Sequence, residues 1–212
     1  MRLNRIIFSV LAFLMAGYAY ANEDALYARE APAGASFVRI FNASTSVGPM
    51  DVSVDGKLFT DLNLFSATPY YVVTDNNIAV VVSGKKTTLE PGKDKAYTIV
   101  ATDTDMLVIE DTIFESRRKA LISFYNLVNS SALSLKANDG KVDVISNVGF
   151  GQRLQRQINA TTLSFSIHSE DKSLATTPTV RLERGEVSSL FVVGAPELPR
   201  PVWVKNEIDA SR

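Results

Sequence analysis

The chain has 212 residues, 46% of them hydrophobic, with 22 Lys and Arg against 23 Asp and Glu and a single His. That length allows one or two domains, and the near-neutral balance excludes the broad basic surface by which a protein tracks nucleic acid. Cys is absent, which excludes disulfides, thiolate metal sites, thiol catalysis and a lipid attached to cysteine after cleavage.

Residues 1–21 have the order of a signal peptide. Arg2 and Arg5 supply a basic start, Ile6 to Gly17 an apolar stretch, and Ala19-Tyr20-Ala21 a small-x-small cleavage pattern, with the cut expected between Ala21 and Asn22. The apolar run is shorter than the roughly 20 residues a span needs, and no later segment is long and apolar enough. The expected mature protein is therefore exported, in the periplasm or outside the cell, and does not span the membrane. Losing Arg2 and Arg5 leaves 20 basic against 23 acidic residues, a net charge of −3.

Residues 22–36 form a polar lead-in broken by Pro32 and Gly34. Phe37-Val38-Arg39-Ile40-Phe41-Asn42 then reads as a strand closed by a turn. Alternation places Val38 and Ile40 on a core face and Arg39 on a face toward water. Val52 and Val54 alternate with polar residues, Asp55-Gly56 signals a hairpin, and Ile78 to Val82 is a near-continuous apolar strand. Strands at Tyr97 to Ala101 and Met106 to Ile109 complete seven or eight, with no helical period. The charged stretch Glu110 to Lys119 interrupts the pattern, with Ile113 and Phe114 its only apolar members.

The plan then repeats. Leu121-Ile122-Ser123-Phe124-Tyr125-Asn126 copies the first strand 84 positions later, and Asn138-Asp139-Gly140-Lys141 copies Val54-Asp55-Gly56-Lys57 at the same offset. Leu182-Glu183-Arg184-Gly185 matches Leu89-Glu90-Pro91-Gly92 at 93, so the second copy carries about nine extra residues. Gly149-Phe150-Gly151 marks a bulge or corner. The expected fold is all-β: two tandem antiparallel β-sandwich domains related by an internal repeat, at 37–115 and 116–205, with a tail at 206–212.

The residues offer little chemistry. His168 is the one histidine, on the polar face of Leu163-Ser164-Phe165-Ser166-Ile167-His168, where a solvated imidazole is expected. A Ser-His arrangement would have to use it. Asp103, Asp105, Glu110 and Asp111 lack the fixed spacing of a calcium loop and read as a solvated turn and edge strand. No catalytic, cofactor or metal residues are assigned. Contacts to a polymer or partner are expected at Arg117, Arg118, Lys119, Arg153, Arg156, Tyr70 and Tyr71. Holding a polyanion would require Arg117, Arg118 and Lys119 to converge with Arg153 and Arg156.

Ala25-Leu26-Tyr27, Ala31-Pro32-Ala33-Gly34 and Phe37 to Asn42 resemble the opening of the AlgF family of periplasmic alginate O-acetylation proteins. Leu182 to Glu186 and Pro201-Val202-Trp203-Val204-Lys205 resemble its closing segments. The stretch from Val47 to Asn77 departs most from that pattern. The resemblance implies a non-catalytic periplasmic adaptor for acetylation of the exopolysaccharide alginate. Its implied partners are the periplasmic alginate acetyltransferases and the membrane-bound O-acyltransferase apparatus. Two other functions stay open: a carbohydrate-binding module that holds alginate itself, and an acetyl carrier or acetyltransferase that uses a Ser or Thr.

Overall fold

A computed structural model of the chain describes residues 31–129 and 132–209. The signal segment, its cleavage site at Ala21 and Asn22, and most of the lead-in lie outside the described residues. Everything described is strand, turn or irregular, with no helix.

The first repeat contributes β1 (Ser36–Asn42), β2 (Met50–Val54), β3 (Lys57–Leu62), β4 (Tyr70–Val73), β5 (Ile78–Val82), β6 (Lys85–Leu89), β7 (Ala96–Ala101) and β8 (Met106–Asp111). The second contributes β9 (Ala120–Asn126), β10 (Leu133–Ala137), β11 (Val142–Val148), β12 (Gln152–Ile158), β13 (Thr161–Leu163), β14 (Ser166–Ser169), β15 (Lys172–Thr176), β16 (Val180–Leu182), β17 (Val187–Ala195) and β18 (Leu198–Lys205). A last short strand, β19 (Ile208–Asp209), follows.

Strand order demonstrates the repeat. Sheets β4-β1-β7-β8 and β3-β2-β5-β6 in the first half correspond one for one to β12-β9-β17-β18 and β11-β10-β14-β15 in the second. The extra residues of the second copy form β13 and β16, which pair with each other. Pairing is antiparallel throughout each half except between β1 and β7, and equivalently between β9 and β17, which run parallel.

Local chemistry explains the recurring pieces. Asp55 and Gly56 both take positive φ, as does Gly140, the geometry that lets a tight hairpin turn match strand twist. Asn42 Oδ1 accepts from Ser44 N at 3.0 Å and its Nδ2 donates to Leu62 O at 3.0 Å. Asn126 repeats this with Val128 N and Val148 O, both at 2.9 Å. Each Asn thus closes its strand with an Asx turn and ties it to the facing sheet.

Val38 and Ile40 join Val52, Val54, Ile78 and Val80 in one core, and Ile122 and Phe124 join Leu133, Leu135, Ile167 and Leu190 in another, as alternation requires. The opposite face does not meet water. Arg39, expected to be solvated, is 1% exposed, and Ser123 is buried as well. The sheets containing β1 and β9 pack on each other through a third cluster of Phe41, Val100, Ile109, Tyr125, Phe191 and Val193, so the protein stacks four sheets deep. Phe191 lies between Phe41 and Tyr125, stacked at 3.8 and 4.3 Å between ring centroids. Phe41 and Tyr125 are equivalent at the 84-residue offset, so matching positions of the two repeats grip one ring.

Candidate functional site

A guanidinium buried in a seam between sheets must be hydrogen-bonded to be tolerated. Arg39 donates from Nε to Thr98 Oγ1 (2.8 Å), from one terminal nitrogen to Asn206 Oδ1 (2.8 Å), and from the other to Ser189 Oγ (2.8 Å) and the Tyr125 hydroxyl (3.1 Å). Tyr70 covers its face, with Cζ 4.5 Å from the ring centroid. The balancing charge is Asp111, which Arg39 reaches through hydroxyls. Thr98 and Tyr70 donate to Asp111 Oδ2 at 2.5 and 2.6 Å, and Tyr125 donates to Oδ1. Burial, followed by Asp111, pushes the Tyr125 phenol up to about 12, and burial lifts that of Tyr70 well above its ordinary value, so both remain donors.

Asp111 pairs with Ala96 in the register of β7 and β8, while Asn206 N donates to Val187 O beside β17. Ala96 and Val187 occupy equivalent places opposite Phe37 and Leu121. Asp111 and Asn206 are thus matching positions of the two repeats, and both serve Arg39.

The expected contact residues separate. Tyr70 is 6% exposed and committed to the seam, which corrects its assignment to a binding surface. Tyr71 is half-buried against Phe59 on the first core. Arg153 turns inward, its Nε donating to Glu110 O at 3.1 Å and lying 3.5 Å from Asp111 Oδ1. Arg156 is exposed and pairs with Ile122 in register, whereas Arg153 pairs with Tyr125. An odd separation on an unbroken strand puts the two arginines on opposite faces, so the required convergence of all five cations does not occur. Arg117, Arg118 and Lys119 do approach the end of β12, where Ala120 pairs with Ile158 and Lys119 Nζ donates to Asn159 Oδ1 at 2.7 Å. The tail after residue 205 contributes β19, which adds to β4 in parallel, with Glu207 O accepting from Tyr70 N at 2.8 Å.

His168 is not solvated but 8% exposed, because the β10–β11 turn covers it: a Cβ added at Gly140 would sit 3.1 Å from its Nε2. That nitrogen is 2.9 Å from Ser166 Oγ, at a cleft of about 250 Å3 that Asp139, Ser173 and Thr176 also line. Nδ1 is buried without a partner among the described residues. With the proton on Nε2, the arrangement that spares Nδ1 a buried N–H without an acceptor, the imidazole donates to Ser166. In that tautomer the imidazole cannot take a proton from the serine. Asp103, set aside as a calcium ligand, accepts from the hydroxyls of Ser44, Thr45 and Ser46 and from the backbone N–H of Thr45 and Ser46. Those donors, Ser44 foremost, hold its carboxyl well below the ordinary range, and they make it a loop clasp.

The fold and seam define the class: an all-β protein of two repeated sandwiches joined face to face through a buried polar network. The model of the family described as "Alginate O-acetyl transferase AlgF" matches residues 9–189. The chain is 33% identical over 194 residues to the alginate biosynthesis protein AlgF of Pseudomonas aeruginosa, covering 91% of this chain and 88% of that one. It is 31% identical over 192 residues to the protein of the same name from Pseudomonas putida, covering 90% and 88%. Among solved structures, the C-terminal domain of AlgF from P. aeruginosa matches at 38% identity over 42% of this chain and 99% of that one, with a TM-score of 0.38. The chain belongs to the AlgF family.

Proposed function

We propose that the protein is a non-catalytic periplasmic adaptor in alginate O-acetylation, holding acetyltransferase components together through protein–protein contacts. The observation that carries this reading is the seam. Arg39, Asp111 and the Phe41–Phe191–Tyr125 stack join two sandwiches into one body, so the outer sheets and edges of both repeats are presented in a fixed relation. A scaffold needs that rigidity, since two surfaces held at a set separation bind a pair of partners without ordering a linker at each encounter. Family membership supplies the pathway.

One observation favours a second reading, in which a serine carries acetyl: Ser166 lies beside the sole imidazole. The tautomer with its proton on Nε2 opposes it, because an imidazole that donates to the serine leaves that hydroxyl unactivated. Direct alginate binding as the main role has less support, with Arg153 spent on the seam and a net charge of −3 expected once residues 1–21 are removed.

The test is calorimetry in about 0.15 M salt, where surface electrostatics are not exaggerated. The purified exported chain is titrated with periplasmic alginate acetyltransferases of the same organism and, separately, with mannuronate oligomers. Tighter binding to an acetyltransferase is expected; micromolar binding to the oligomers with none to the enzymes would overturn the adaptor reading. In cells, His168→Ala is expected to leave polymer acetylation intact. If acetylation collapses while that variant is folded and binds its partners normally, the carrier reading replaces it.

A further inference from the structure

The edges of the sheets differ in one respect that bears on where a partner docks. An edge strand presents unpaired backbone N–H and C=O groups, and proteins blunt such edges with bulges, lysine, proline, short strands or a covering segment. Here β3 pairs across a register shift beside Asp61 at positive φ. β6 opens with Lys85 and Lys86, β15 with Lys172, and β18 carries Pro199 and Pro201. β11 pairs through two register shifts, and Arg153 occupies the Glu110 carbonyl of β8. β4 has four residues and is covered by β19.

β12 is the least protected, its one device of this kind being the inward-turned Arg153. Its seven residues pair with β9 from Gln152↔Asn126 to Ile158↔Ala120 without a shift. It contains no Pro, Gly, Lys, Asp or Glu, and it ends its sheet. It also occupies the place in the second repeat that β4 holds in the first, and at β4 the fold itself adds a strand. Leu154, 47% exposed, shares a face of β12 with Arg156. The end of β12 lies beside the exposed Arg117 and Arg118, and none of these three arginines has an ion pair among the described residues.

We propose that β12 is the docking edge, to which a partner protein adds an extended segment with an apolar side chain opposite Leu154 and carboxylates opposite Arg156 and beside Arg117 and Arg118. This rests on the adaptor reading and names the surface it uses. Strand addition draws affinity from main-chain hydrogen bonds and selectivity from alternate side chains, and the unpaired cations select acidic side chains. A polyuronate offers carboxylates but no regular peptide ladder, so it would leave the backbone groups of this edge unmatched.

The test uses the full exported chain and the acetyltransferase that binds it in the calorimetry above. Amide hydrogen exchange is expected to slow in residues 152–158 on binding. The double variant L154K/R156E, confirmed as folded by its melting curve, is expected to bind at least tenfold more weakly. Leu198→Lys on the opposite edge, which replaces an exposed residue, is the control and should bind as the parent does. Parent-like binding by the double variant, with no protection in 152–158, overturns this surface and leaves the adaptor reading standing. Protection of 152–158 by mannuronate oligomers and not by the enzyme overturns the choice of occupant. Failure of the parent chain to bind any acetyltransferase removes the adaptor reading and this surface together.

Discussion

Replacing Arg39 by Leu tests the seam most directly. The side chain is fully buried and donates four hydrogen bonds, three to Asn206, Tyr125 and Ser189 of the second repeat and one to Thr98 of the first. Leu fills part of the volume but leaves those acceptors without their donor and removes one of the two arginines that balance Asp111, the other being Arg153 at 3.5 Å. Removing one partner of a buried ionic network costs about 3–5 kcal/mol. For a chain of this size each kcal/mol moves the midpoint by about 2–4 °C, so a fall of roughly 6–20 °C is expected by calorimetry. The shape of the transition carries further information. With the seam weakened, each sandwich retains its own core, so one cooperative transition should broaden or split into two. A loss under about 1 kcal/mol with the transition unchanged would refute the reasoning, since that is the behaviour of a solvated arginine.

Three further outcomes follow from the same geometry. Phe124→Ala, at a fully buried core position, should cost about 3–5 kcal/mol in denaturant unfolding; a loss near zero would mean the register of β9 is wrong. Phe191→Ala removes the ring between Phe41 and Tyr125 and should cost a similar amount, and in a double-mutant cycle with Arg39→Leu the two losses should not add. The folded pKa of Asp103 lies below its ordinary 3.8, so its contribution is present above that value and is lost as pH falls through the lower, folded one. Protection of the Thr45 and Ser46 amides, taken relative to the intrinsic exchange rate at each pH, should therefore fall in acid, and Asp103→Asn should flatten that dependence; an unchanged profile in the variant would assign the protection to another group.

Much of this protein was decided within short stretches of chain. Period-two alternation in Phe37–Phe41 and Leu121–Tyr125 marked Val38, Ile40, Ile122 and Phe124 as core. The two Asp-Gly turns, the two strand-closing Asn residues and the 84-residue offset showed that one sheet plan occurs twice. These features are legible because turn conformation and strand alternation depend on neighbouring residues alone. The role of Arg39 is not of that kind. Alternation established that it lies opposite Val38 and Ile40, but not whether that side meets water or another sheet. A hint was present in the unbroken apolar runs Ile99-Val100-Ala101 and Leu190-Phe191-Val192-Val193, since strands covered on both faces lose their polar alternation. The burial of His168 is of the same kind, because the turn that covers it comes from residues 138–141, nearly thirty positions away. Which arginines remain exposed, and which edge lacks protection, likewise depend on pairing between distant segments. Burial of a second face is a property of two surfaces meeting, and only the tertiary structure brings them together.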